Sequence, residues 1–177
     1  LWATYLRLRE PANSIDKLSR AIATARVDLN PHQVDAALFA VRSPLSRGVI
    51  LADEVGLGKT IEAGMVISQK WAERKRKILI IAPATLRKQW QQEMSDKFSI
   101  SSTILENVSY KNAKKNKTLF DSKSISICSY NFVANKSEEL SELSWDLVVI
   151  DEAHRLRNIY KPNNKMATAI IRAISDS

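Results

Sequence analysis

Residues 48–64 read GVILADEVGLGKTIEAG, and this stretch decides the fold. The apolar run Gly48–Ala52 predicts a short strand, a glycine-bearing turn follows, and IEAGMVISQKWAERK predicts a helix. A strand that turns straight into a helix through GLGKT is the setting of a phosphate-binding loop. Glycine lets the backbone turn so that successive N–H groups face a phosphate, and the helix N-terminus adds its dipole. On that reading Asp53, Glu54, Val55, Gly56, Leu57, Gly58, Lys59 and Thr60 wrap a nucleotide, with Lys59 on its β- and γ-phosphates and the Thr60 hydroxyl a ligand for Mg²⁺. The strict pattern G-x-x-x-x-G-K-[ST] wants glycine where this chain has Asp53. A turn that merely caps a helix is the alternative.

Downstream, apolar strand patterns alternate with helical ones: KILIIA, then the helix TLRKQWQQEMSDKF, STILE, SISICSY, a helix after Asn131, DLVVI and a final helix MATAIIRAIS. Such alternation predicts right-handed crossovers and a mostly parallel sheet covered on both faces, an α/β class. Upstream, HQVDAALFAVRS predicts a short amphipathic helix. Residues 1–29, broken at Pro11 and capped at Ser14, read as a helical extension before an α/β lobe over 30–177.

The segment WDLVVIDEAH puts Asp151 and Glu152 directly after an apolar strand. Ligands of open parallel sheets bind beyond the carboxyl ends of the strands, so this pair and GLGKT are expected on one edge. Asp151 would hold Mg²⁺ and Glu152 would act as general base toward an attacking water. A chance acidic pair capping the next helix is the weaker alternative. His154 has no second His or Cys at ligand spacing, which leaves a relay to a neighbouring element as its expected role.

The chain has 177 residues and is 45 % hydrophobic, enough for one compact domain with a real core. No apolar run approaches the ~20 residues that cross a bilayer, and no cleavable leader pattern is present, so a soluble cytoplasmic protein without a membrane partner is expected. Cys128 is the only cysteine, which excludes a disulfide framework and a thiolate zinc site; its apolar surroundings predict a core residue. A net charge of +8 favours a polyanionic partner. The first residue is not methionine and the first Met is Met65, so an excised piece of a longer chain is expected.

Four segments in order, GVILADEVGLGKTIEAG, KILIIAPATLRKQW, ISICSYNFV and WDLVVIDEAHRLRN, resemble the motifs of superfamily-two helicase-like ATPases and, within them, the Swi/Snf branch of double-stranded DNA translocases. ADEVGLGKT, with Asp53 where strict loops have glycine, is itself typical of that branch. The likeness is greatest to bacterial members that associate with RNA polymerase. It covers about Asn30 to Asn158. The resemblance implies a RecA-like three-layer P-loop fold, ATP and Mg²⁺ as cofactors, double-stranded DNA as partner, and a second RecA-like lobe in the parent chain that supplies an arginine finger. An RNA-directed helicase lobe and a nucleotide switch without motor activity stay open beside it.

Residue by residue, the resemblance makes NPHQ a glutamine motif in which Gln33 reads adenine; an exposed helix-start glutamine is the alternative. It places Pro83, Ala84, Thr85 and Arg87 against a DNA phosphate, and Ser129 with them from the SYNF segment. Tyr130 is left between contact and packing, Trp90 reads as core, and Arg155 and Asn158 are open between DNA and a partner lobe. RKRK at Arg74–Lys77 precedes a strand, which puts it at the edge opposite the nucleotide as a solvated face. The run KNAKKNK from Lys111, inside the polar stretch 110–124, follows a strand and is open between a flexible loop and a DNA contact.

Overall fold

The computed structural model describes residue 26 and residues 30–42, 48–52, 58–107, 110, 124–157 and 164–175. Asp53–Leu57 of the expected phosphate loop, the expected helical extension apart from Arg26, the polar stretch 111–123 and Asn158 lie outside these. In chain order the elements are α1 (Pro31–Arg42), α2 (Lys59–Ala72), β1 (Ile78–Ala82), α3 (Arg87–Phe98), β2 (Ser102–Ile104), β3 (Ile125–Ser129), α4 (Tyr130–Asn135), α5 (Ser137–Ser141), β4 (Leu147–Ile150), a 3₁₀ turn (Ala153–Leu156) and α6 (Lys165–Ile174). They fall into two compact units, one drawn from positions up to Arg74 together with Asp96–Ser99, the other from Lys75–Ser95 and from Ile100 onward.

In the first unit α1 packs on α2. Pro31 opens α1 where a missing N–H costs nothing, and Gln33 reaches back so that its Oε1 accepts the Asn30 N–H at 3.3 Å. Along α2, Ile61, Ala63, Met65 and Ile67 are buried. Two glycines are fixed by close approach. Gly58, the N-cap of α2, has φ +91°, and a Cβ there would overlap the Gln33 amide nitrogen. At Gly64 a Cβ would strike the Phe98 ring.

The run GVILA, expected as a strand, enters no sheet among the described residues, and Ile50 is 87 % exposed. An apolar run becomes a strand only where a neighbour's N–H and C=O groups meet it, and the described ladder ends at β2 and β4 without including it.

The second unit is built on a four-stranded parallel sheet in the order β2-β3-β1-β4. All five residues of β1, ILIIA, are buried, as a central parallel strand covered on both faces requires. Leu79 and Ile81 join Cys128, Tyr130, Phe132, Val133, Leu140, Trp145, Ile170 and Ala173 in one apolar cluster that binds α4, α5 and α6 to one face. The helix expected after Asn131 begins at Tyr130 and is two short helices: Ser129 accepts the Phe132 N–H to start α4, Lys136 leaves helical geometry at φ −117°, and Ser137 restarts the coil as α5. β4 ends the described sheet and its four residues are only half-buried.

Arg74, Lys75 and Lys77 of the basic run are exposed, which agrees with a solvated face. Here Asp146, just before β4, ties the start of β1 to the start of β4: its Oδ2 accepts the Arg76 and Lys77 N–H groups at 2.9 and 3.0 Å, and Lys75 Nζ lies 3.4 Å from Oδ1. Burial pushes the Asp146 carboxyl up, but the Lys77 and Arg76 amides and the Lys75 ammonium outweigh it and hold the group below the ordinary aspartate value. A depressed folded pKa means that this stabilisation is fully present above the unfolded pKa of ~3.9 and is lost as pH falls through the folded one. Asp146→Asn is therefore expected to flatten the acid limb of the unfolding midpoint plotted against pH below roughly pH 4. An acid limb equal to that of the unsubstituted protein would remove Asp146 from this role.

Candidate functional site

Because β1, β3 and β4 are parallel and in register, their carboxyl ends deliver three sequence-distant segments to one edge of the sheet. Ala82 pairs with Ser129 and Ile81 with Ile150, and the Asp151 N–H donates to the Ile81 carbonyl at 2.9 Å. Pro83–Arg87 leaves β1 there, Ser129–Tyr130 leaves β3, and Asp151–Glu152 leaves β4. The convergence of these three segments follows from parallel pairing alone.

The acidic pair is held from two sides. Trp90, 4 % exposed, donates its indole N–H to Asp151 Oδ2 at 2.8 Å. From the end of β3, the Tyr130 hydroxyl donates to the Asp151 carbonyl at 2.5 Å and approaches the Glu152 carbonyl at 3.2 Å. Burial first, and then the Asp151 carboxylate, push the Tyr130 phenol up to about 12 against the opposing charge of Arg155, so it is a donor at any ordinary pH. The Arg155 guanidinium stands 5.8 Å from the Tyr130 ring centre.

Glu152 has φ +57° and ψ +45°, the left-handed region that costs a non-glycine residue about 1–2 kcal/mol. Such a cost persists only where neighbours impose it, and the Tyr130 hydroxyl on the flanking carbonyls is one such neighbour. Glu152 Oε2 lies 2.9 Å from His154 Nδ1, with both side chains about half exposed. His154 thus touches the expected base directly.

The remaining expected residues are placed as follows. Pro83 is buried, while Ala84 and Thr85 are exposed in the turn before α3. Arg87 is turned inward: its Nε donates to the Ala84 carbonyl at 3.2 Å and its guanidinium pairs with Glu106 at 3.1 Å. Ser129 spends its hydroxyl on capping α4, accepting the Phe132 N–H at 3.2 Å. Cys128 is fully buried and burial pushes its thiol up to about 12, so it is an inert core residue as expected. Gln33 is 5 % exposed, which removes the exposed helix-start alternative; its carbonyl oxygen caps α1 and its amide nitrogen abuts Gly58. Gln33, Gly58, Lys59 and Thr60 belong to the first unit, and Asp151, Glu152 and His154 to the second.

Among the described residues no group of three or more His, Cys, Asp or Glu side chains could enclose a metal ion. The donors present suit Mg²⁺ instead, which takes one or two protein oxygens and completes its shell from substrate phosphates and water. Asp151 has one oxygen fixed by Trp90, and its Oδ1 carries no hydrogen bond among the described residues. Among those residues, too, no helix is long and apolar enough to cross a membrane.

A profile described as the SNF2-related domain matches residues 29–174. The chain belongs to that family. Among SNF2-related relatives, the RNA polymerase-associated protein RapA of Serratia proteamaculans is 43 % identical over 136 residues, 74 % of this chain and 14 % of that protein. RapA of Cronobacter sakazakii is 42 % identical over the same span. The chain therefore spans about one seventh of these curated relatives. The solved Sulfolobus solfataricus SWI2/SNF2 ATPase core in complex with dsDNA is similar over 84 % of this chain and 30 % of that one, at 25 % identity and a TM-score of 0.71. The described α/β unit with its parallel sheet is thus RecA-like, as in that SNF2 core.

Two residues of the site make a contact with the acidic pair that the sequence does not show. Trp90 was read as core, which it is, but helical spacing carries no trace of the carboxylate its N–H meets. Tyr130 packs and donates at once.

Proposed function

We propose that the chain is the first RecA-like, ATP-binding lobe, residues 30–177 after a helical extension over 1–29, of a bacterial cytoplasmic DNA-dependent ATPase that translocates on double-stranded DNA or remodels protein–DNA complexes. The observation that carries this reading is the convergence of Pro83–Arg87, Ser129–Tyr130 and Asp151–Glu152 on one sheet edge, with Asp151 already anchored. Membership of the SNF2-related family supports it, as do a similar core solved with duplex DNA and relatives named for association with RNA polymerase.

In this reading Lys59 Nζ and the loop amides of Asp53–Gly58 grip the β- and γ-phosphates of ATP, and Gln33 faces the adenine. Thr60 and Asp151 are the residues that would hold Mg²⁺, which would supply charge neutralisation of the transferred phosphoryl group. The Glu152 carboxylate takes the proton of the attacking water, and His154, 2.9 Å away, carries the state of that carboxylate to a neighbouring element. Ala84, Thr85, Arg87 and Ser129 meet the DNA backbone above the buried Pro83, for which Arg87 must exchange its pairing with Glu106 and Ser129 must donate its hydroxyl hydrogen while its oxygen caps α4. A second RecA-like lobe of the same parent supplies the arginine finger.

The test is ATP turnover by the full-length protein with duplex DNA, with RNA and with neither. Duplex DNA is expected to stimulate, and the 177-residue chain alone to turn over at least about 10³-fold more slowly than the stimulated parent for want of the finger. Stimulation by RNA in place of DNA would make this an RNA-directed helicase lobe. Turnover indifferent to both would make it a nucleotide switch.

A further inference from the structure

Trp90 and Tyr130 each spend a buried polar group on the acidic pair. A buried indole N–H needs an acceptor, and most find a backbone carbonyl or water; this one takes a carboxylate oxygen 61 positions away in sequence, a charge-assisted bond roughly twice as strong as a neutral one. A phenylalanine would fill most of that space without the bond. The Tyr130 hydroxyl, in turn, meets the carbonyls of both Asp151 and Glu152, so it fixes the backbone that carries both side chains.

Neither residue is isolated from the surface. Trp90 is in the first turn of α3, and its backbone N–H donates to the Leu86 carbonyl at 2.9 Å, inside the turn that presents Ala84 and Thr85. Tyr130 follows Ser129 directly, at the start of α4. A shift of either opening turn would move the group that holds the pair.

We propose that Trp90 and Tyr130 are positioning residues that tie the Asp151–Glu152 pair to the two sheet-edge segments meeting DNA, Trp90 by setting the Asp151 carboxylate for metal and Tyr130 by setting the backbone of the pair. This rests on the ATPase reading above and goes beyond it, because it gives DNA engagement a physical route to the nucleotide site. A rigid sheet edge with two hydrogen-bonded struts is a contiguous network of the kind that carries coupling between sites.

The experiment compares the full-length protein with its Trp90→Phe and Tyr130→Phe variants, with ATP turnover measured against Mg²⁺ concentration and with and without duplex DNA, and melting temperatures taken alongside. Trp90→Phe is expected to raise the Mg²⁺ concentration for half-maximal turnover by about tenfold or more, the usual effect of losing a residue that orients a metal ligand. Tyr130→Phe is expected to lower the ratio of DNA-stimulated to basal turnover by about tenfold on the same grounds. An unsubstituted-like Mg²⁺ midpoint and stimulation ratio in folded variants overturns the proposal. So does a general loss of turnover with an unchanged Mg²⁺ midpoint and a lowered melting temperature, which assigns Trp90 to the core alone. Should Trp90→Phe not fold, the stimulation ratio of Tyr130→Phe decides. Lys59→Ala run in parallel separates the two levels: if it retains full turnover, the ATP-site reading fails whatever Trp90 does.

Discussion

Replacing Glu152 by Gln in the full-length protein is expected to lower DNA-stimulated ATP turnover by about 10²- to 10⁴-fold while nucleotide still binds. The substitution is nearly isosteric and leaves the left-handed backbone at φ +57° in place, because Tyr130 holds that turn through main-chain carbonyls and not through the side chain. The amide oxygen can still face His154. What is lost is the ability to accept a proton from water, since an amide has no carboxylate lone pair of comparable basicity. The measurement is steady-state turnover with duplex DNA, paired with titration of a fluorescent nucleotide. Turnover within about threefold of the unsubstituted protein would place the base elsewhere, because loss of a true general base is far larger than that. Loss of binding together with turnover would instead make Glu152 part of the grip.

How far the chain could be read from its letters depends on the range of the interaction that decides each feature. ILIIA and LVVI were legible as strands because a continuous apolar run rich in β-branched residues suits a covered parallel strand, fully buried in β1 and half-buried in β4. GVILA has the same pattern and joins no described ladder. Pairing is a property of two segments, and composition reports only one of them. The Asp151–Glu152 position was legible for the same reason that β4 was, since a strand end is a local signal. The bonds that hold the pair were not: Trp90 lies 61 positions from Asp151 and Tyr130 lies 21. Arg87 was assigned from its motif to a DNA phosphate, yet it meets Glu106, an exposed carboxylate that no spacing rule connects with it. Gln33 was half legible: the helix start and the glutamine three residues on make a capping pattern, whereas its contact with Gly58 arises only when α1 packs on α2.

Lys59→Ala is expected to abolish stimulated turnover, with a fall of at least about 10²-fold in kcat/KM, and in contrast to Glu152→Gln it is expected to weaken nucleotide binding as well. Lys59 is the first residue of α2, immediately after Gly58, whose left-handed φ of +91° turns the chain into the helix. A lysine ammonium at that point adds a full charge to the partial charge of the helix N-terminus, and on the proposed reading both would act on the same phosphate oxygens. Alanine is the strongest helix former, so the start of α2 and its buried face are retained and the loss is not one of folding. Arginine is not a substitute, because its planar fork cannot occupy the space of a compact ammonium. Equilibrium titration with ATP and Mg²⁺ reads the grip, and steady-state turnover reads the chemistry. Undiminished affinity and turnover in Lys59→Ala would sink the phosphate-loop assignment. Lost turnover with intact affinity would move Lys59 from binding the ground state to stabilising charge only in the transition state, which is a different use of the same side chain.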